Sequence, residues 1–174
     1  MHQDERGELI LITGPMFAGK SAALIAQARA HGPTALILKP AFDTRDGMAV
    51  IASRDRTRAD ALPVSAWPDE AARLHPVVVI DEAQFMVPPH YAGDLVADIT
   101  RAVARGARIT VGALDTDYLR RPFDLVTRLA AVADRHLALQ ARCHTCDRPA
   151  MWTAKKSETG QRLELGDDLS LIHI

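Results

Sequence analysis

Apolar and polar positions alternate in blocks along this chain. Leu9–Thr13 is a short apolar run ending at Gly14, the pattern of a buried strand that runs into a loop. Residues 35–38 form a second such run. Val77–Ile80 is four consecutive β-branched residues and predicts a third strand. Residues 109–111 start a fourth, and 136–139 read as a last core strand. Helical spacing fills the intervals. Residues 21–30 are alanine-rich with Leu24, Ile25 and Ala28 on one side, and His31-Gly32-Pro33 stops that helix. Pro68-Asp69-Glu70 opens a short helix with proline and acids at its start. Leu95, Val96, Ile99 and Val103 line a helical face that Gly106 ends, and Leu125, Val126, Leu129 and Val132 line another. Residues 43–60 are polar and read as a mobile loop, in which Asp43, Asp46, Asp55 and Asp60 face Arg45, Arg54, Arg56 and Arg58 in sequence. Parallel strands need helical crossovers, so this alternation predicts a mainly parallel sheet flanked by helices, an α/β fold.

After Gln140 the pattern changes. Cys143, Cys146, Trp152, a lysine-rich turn and Leu163 to Leu165 suggest a small separate lobe over residues 141–168, following a core over 1–140. The 174 residues suit one domain with such an appendage. A net charge of −1 supplies no global field toward nucleic acid or acidic membrane, so neither is expected as a partner. No apolar run approaches the ~20 residues of a membrane helix. The first eight residues are polar, unlike a signal peptide, which points to a cytoplasmic location. The two cysteines are spaced as a metal or redox pair rather than a disulfide framework.

Two motifs carry chemistry. Gly14-Pro15-Met16-Phe17-Ala18-Gly19-Lys20-Ser21 fits Gly-x4-Gly-Lys-Ser between a strand and a helix. Glycines let backbone N–H groups wrap a phosphate, Lys20 reaches the β- and γ-phosphates of ATP, Ser21 ligates Mg²⁺, and the helix aims its positive end at the same anion. Asp81-Glu82 follows Val77–Ile80, at the strand end where open α/β sheets bind ligands. Asp81 fits an Mg²⁺-holding role. Glu82 has three readings at this point: general base for a hydroxyl acceptor, base for water in a plain ATPase, or a solvated acid at a strand end.

Further blocks narrow the choice. Met16-Phe17-Ala18 inside the phosphate loop, Lys39-Pro40-Ala41-Phe42-Asp43-Thr44-Arg45, Asp81-Glu82-Ala83-Gln84-Phe85, Leu114-Asp115-Thr116-Asp117-Tyr118 with Arg120-Arg121-Pro122-Phe123, and Cys143-x-x-Cys146 followed by Trp152-Thr153 stand in order from about residue 8 to 168. Together they resemble the type II (P-loop) thymidine kinases. That resemblance implies a P-loop NTPase core of RecA-like topology with a small C-terminal zinc-binding lobe. It implies transfer of the γ-phosphate of ATP to the 5′-hydroxyl of thymidine or deoxyuridine, in nucleotide salvage for DNA synthesis. It assigns Gly14 through Ser21, Asp43, Thr44, Arg45, Asp81 and Gln84 to ATP, Ser21 and Asp81 to Mg²⁺, and Glu82 to the 5′-hydroxyl proton. Met16, Phe85, Leu114, Tyr118, Phe123 and Thr153 would shape the base pocket. Leu163, Glu164, Leu165 and Gly166 would lie in a loop that clamps the base through its backbone. Homotetramers and dTTP as feedback inhibitor are further implications. Three aromatic residues just past strand ends suit a flat pyrimidine independently, and Arg120 and Arg121 are available to brace a transferring phosphate.

The chain also departs from the family pattern. Ala83 replaces a usual glycine, and Ser53-Arg54-Asp55 stands where many members have a His-Asp pair. A structural Zn²⁺ takes four protein ligands, whereas Cys143 and Cys146 supply a half site. The last six residues, Leu169-Ser170-Leu171-Ile172-His173-Ile174, back-translate as CTG TCT CTT ATA CAC ATC, which matches a transposon-end sequencing adapter. We therefore read 169–174 as a non-native tail and 141–168 as a partial lobe. The competing functions are a P-loop ATPase, which turns over ATP without thymidine, and a nucleotide-binding fragment without turnover.

Overall fold

The computed structural model of the protein describes residues 6–143, 145–155 and 169–172. In chain order the core comprises β1 (Leu9–Thr13), α1 (Lys20–His31), β2 (Ala35–Pro40), β3 (Val50–Ala52), β4 (Arg58–Asp60) and β5 (Leu62–Val64). It continues with α2 (Asp69–Leu74), β6 (Val77–Ile80), α3 (Leu95–Ala104), β7 (Arg108–Ala113), α4 (Asp124–Val132) and β8 (Arg135–Ala138). Six strands form one sheet in the order β5-β2-β6-β7-β1-β8, and every pairing is parallel. The expected α/β architecture is therefore present. One strand, β7, separates the strand before the phosphate loop from the strand before Asp81.

The period-two alternation of the strands sorts the core into two layers. Val77 and Val79 of β6 join Ile12, Ile37, Leu24, Ile25 and Ala28 beneath α1. Val78 and Ile80 point the other way and join Leu11, Leu38, Ile109 and Val111 with α3 and α4. A strand buried on both faces has no polar side to show, so Val77–Ile80 reads as a continuous apolar run. Asp94 caps α3, accepting a hydrogen bond from the Val96 N–H at 3.0 Å.

Three local expectations differ from the structure. Residues 43–60 contain an antiparallel hairpin, β3 with β4, because Ile51 buries itself against the α1 layer. Ile51 belongs to a short apolar run, 48–52, set between charged segments. The strand at 135–138 is at the sheet edge, with all four residues exposed, rather than in the core. Beyond it, β9 (Ala141–Arg142) and β10 (Pro149–Ala150) bracket the cysteine turn, and β11 (Trp152–Lys155) pairs antiparallel with β12 (Leu169–Ile172). No strand was expected at the tail. Among the described residues no helix is long and apolar enough to cross a membrane.

Candidate active site

The phosphate loop leaves β1 and enters α1. A Cβ on Gly14, whose φ is 149°, would meet the Leu139 carbonyl oxygen at 2.5 Å, so the loop's first turn requires glycine. Lys20 is buried, and its Nζ donates to the Gly14 and Pro15 carbonyl oxygens at 2.9 and 2.7 Å. Burial lowers its pKa, against the opposing pull of Glu82, Asp81 and Asp115.

Ser21 Oγ donates to Asp81 Oδ2 at 2.7 Å. These residues follow strands that are not neighbours, so Asp81 must reach past β7. Gly112 of β7 makes room: a Cβ there would lie 2.6 Å from Leu24 Cδ1 and 3.4 Å from Asp81 Oδ1. Burial pushes the Asp81 carboxyl up to about 7, and the Glu82 charge adds to this, while Ser21 and Lys20 work against it. An oxygen-only pair at the foot of a phosphate loop fits a hard cation such as Mg²⁺.

Glu82 adopts a left-handed backbone conformation, φ 52° and ψ 39°, and its N–H donates to Asp81 Oδ1 at 2.9 Å. Such a conformation in a non-glycine residue costs on the order of 1 kcal/mol and is held by its surroundings. Arg45 Nη2 lies 2.9 Å from Glu82 Oε1, and Gln84 Nε2 donates to Glu82 Oε2. Arg45 also makes a two-pronged contact with Asp43, each bond 2.9 Å. Gln84 Oε1 accepts the Leu114 N–H at 3.1 Å, linking β6 to the loop after β7. Burial opposes the charges of both Asp43 and Arg45. Their mutual pairing, with Glu82 on the arginine side, wins, lowering the Asp43 pKa and raising that of Arg45. Ala83 lies outside the positive-φ residues and begins a 3₁₀ turn, so its methyl group is accommodated.

These groups border a cleft of about 460 Å³ closed on its far side by residues 51–55 of the hairpin. It gathers Met16, Phe17, Gly19, Lys20, Ser21, Asp43, Arg45, Asp81 and Glu82 from the sequence-derived site. Phe85 and Phe123 are buried outside the lining of this cleft, Phe123 in the layer with α3 and α4 and Phe85 5.7 Å from the Phe42 ring, with Leu114 and Tyr118 half-buried. Phe85 abuts the site from behind, with the Arg45 guanidinium 5.9 Å from its ring centroid. Thr153 is buried, and its hydroxyl accepts the Met16 N–H at 3.0 Å, bracing the phosphate loop. Arg121 is tied to Asp117 at 2.9 Å, and Arg120 lies over Trp152 at 5.7 Å. Leu163, Glu164, Leu165 and Gly166 fall outside the described residues.

Cys143 is buried and Cys146 exposed, both as free thiols in the β9–β10 turn. Cys143 packs with Ala141 and Ala150 against Met16 and Ala18 of the phosphate loop. Among the described residues no cluster of three metal-binding side chains exists, so these residues do not complete the four-ligand zinc site expected of the lobe.

Sequence reasoning passed over Gly112 and gave Lys39 and Asp117 no role beyond their motif blocks. A glycine inside the strand Arg108–Ala113 was the available sign of a close approach. Lys39 is buried and donates to the Gly47 and Val50 carbonyl oxygens, each at 2.9 Å, tying the hairpin to β2. Asp117 accepts the Leu119 and Arg121 N–H groups at 2.9 Å and shapes the loop after β7.

A family model described as thymidine kinase matches residues 7–171. A curated thymidine kinase from Mycoplasma mobile is 32% identical over 169 residues, covering 92% of this chain and 81% of the relative. Among solved structures, one of two coordinating Pif1 helicases on forked dsDNA is similar at 16% identity and TM-score 0.35. The match covers 66% of this chain and 31% of that one. A Bacteroides Pif1 helicase with ADP-AlF3 and ssDNA is similar at 17% identity and TM-score 0.34, covering 64% and 29%. With the family model spanning nearly the whole sequence, the chain belongs to the thymidine kinase family.

Proposed function

We propose that the chain transfers the γ-phosphoryl group of ATP to the 5′-hydroxyl of thymidine or deoxyuridine, giving the nucleoside monophosphate and ADP. The observation that carries this is the Glu82 carboxylate, fixed between Arg45 and Gln84 beside the Ser21–Asp81 pair. Phosphoryl transfer rewards alignment and charge stabilisation more than covalent chemistry. In this reading the backbone N–H groups of residues 14–21 receive the phosphates. Lys20 exchanges its two loop carbonyls for phosphate oxygens. Ser21 and Asp81 hold Mg²⁺, which when bound neutralises phosphate charge and orients the γ-phosphoryl group. Glu82 accepts the proton of the 5′-hydroxyl, and Arg45 keeps that carboxylate aimed. Phe85, Leu114, Tyr118, Phe123 and Met16 border the nucleoside base, with residues 163–166 over it. No step is assigned to zinc. A homotetramer, dTTP inhibition and a cytoplasmic salvage role belong to the same proposal.

The test is ADP release from ATP and Mg²⁺ with and without thymidine. Release that depends on thymidine supports the kinase. Release without it points to an ATPase, and no release in either case to a binding fragment. Sequencing the source locus across codon 168 checks whether 169–174 is foreign: a genomic Leu-Ser-Leu-Ile-His-Ile rejects that reading.

A further inference from the structure

The β3–β4 turn brings an arginine to the rim of the cleft, and nothing above has used it. Arg54 places its guanidinium 4.8 Å from the ring centroid of Phe17, in the phosphate loop. Both residues line the cleft that holds Lys20 and Ser21. Phe17 itself has a left-handed backbone, φ 64°, and the residue is 46% exposed, an unusual position for a large apolar group. The turn that carries Arg54 is tightly built. Ser53 N–H donates to the Thr57 carbonyl oxygen at 2.9 Å, and Arg56 N–H to the Ser53 carbonyl oxygen at 3.0 Å. Asp55 accepts from the Ser53 hydroxyl and, at 3.0 Å, from the Thr57 N–H. These bonds hold the Asp55 carboxyl below the usual carboxylate range and commit it to the turn.

Arg54 therefore has no carboxylate partner within ion-pair distance among the described residues. The other cations of the cleft are engaged: Lys20 and Lys39 by carbonyl oxygens, and Arg45 by two carboxylates. A surface arginine is ordinarily a solvated group. This one is presented by a hydrogen-bonded turn, held over an aromatic face of the phosphate loop, and left with its donors free. A guanidinium presents several N–H donors in a planar fork and suits phosphate oxygens.

We propose that Arg54 is a nucleotide-binding residue of this chain, contacting the phosphates of bound ATP from the hairpin side, with Phe17 holding its guanidinium at the cleft rim. The proposal rests on the kinase reading for its place in turnover but not for its binding test. Affinity for MgATP, ADP and adenosine is measured by titration calorimetry without thymidine, on the parent, Arg54→Ala and Arg54→Lys, with thermal melting to verify folding. The expected result is a loss of ATP affinity of about tenfold or more in Arg54→Ala, the scale of one charge-assisted hydrogen bond. Arg54→Lys recovers part of it, and adenosine binding is unchanged. ATP affinity within twofold of the parent in Arg54→Ala overturns the proposal, as does an equal loss for adenosine. In steady-state assays KM for ATP rises while kcat and KM for thymidine hold. If the parent binds ATP yet never turns it over, the kinase reading fails and the Arg54 result stands.

Discussion

Arg45 and Glu82 meet at 2.9 Å, with the arginine arriving from the loop after β2 and the glutamate from the end of β6. Strands β2 and β6 are parallel neighbours, so their C-terminal loops emerge side by side and the pair spans a short gap. Arg45 holds Asp43 with the same guanidinium, so one cation ties both carboxylates together.

Replacing Glu82 by Gln keeps the left-handed backbone and the Gln84 contact but removes the base. We expect kcat to fall by about 10²–10⁴-fold with ATP affinity retained. Activity within threefold of the parent would remove Glu82 from this role.

Arg45→Met should act through Glu82 and Asp43 rather than on ATP alone. It leaves the buried Asp43 carboxylate and the half-buried Glu82 carboxylate without the cation they share. The expected outcome is a kcat loss of at least tenfold together with a changed pH–rate profile, as two carboxylates now compete for one proton. A rise in KM for ATP with kcat and the profile intact would mean a phosphate ligand and nothing more.

Asp81 contributes a distinct pH dependence to the stability of the metal-free protein. Its folded pKa, about 7, lies above the unfolded value of 3.8, so between these values the folded state holds more proton than the unfolded state. This contribution is full below about pH 4 and is lost as pH rises through 7. In chelator, Asp81→Asn should melt progressively higher than the parent as pH goes from 5 to 8. Melting curves that run parallel across this range contradict the assignment.

Gly112→Ala tests the close approach of α1, β7 and Asp81. The added methyl must displace Leu24 from 2.6 Å, an overpacking cost of about 1–3 kcal/mol. Denaturant unfolding reads that cost, and MgATP binding should weaken alongside it because Asp81 Oδ1 is the next atom met. No loss in either measurement would show that the layer yields freely.

The two thiols should differ in reactivity. Cys146 is exposed, and the hydrogen bond from Arg148 lowers its pKa, whereas Cys143 is buried against the phosphate loop. An aromatic disulfide reagent should modify one thiol per chain quickly, identified as Cys146 by peptide mapping. Equal rates at both would contradict the burial of Cys143.

Val77–Ile80 and residues 9–12 were legible as strand sequence because burial on both faces leaves a continuous apolar run. The phosphate loop was legible because glycines, lysine and serine at fixed intervals do their work within eight consecutive residues, where backbone geometry is local. Asp81-Glu82 was legible for the same reason, as a pair at a strand end. The hairpin at 50–60 was not, since one buried side chain, Ile51, anchors it, and the layer it joins beneath α1 comes from distant segments. The strand at 135–138 carries apolar residues yet sits at an edge, because strand order is a property of the sheet and leaves no mark on any one strand. Gly112, Gln84 and Arg54 acquire their meaning from groups at 24 and 81, at 82 and 114, and at 17. Chain composition sets which residues can bury, bend or carry charge; which of them face one another depends on how distant segments close on the same cleft.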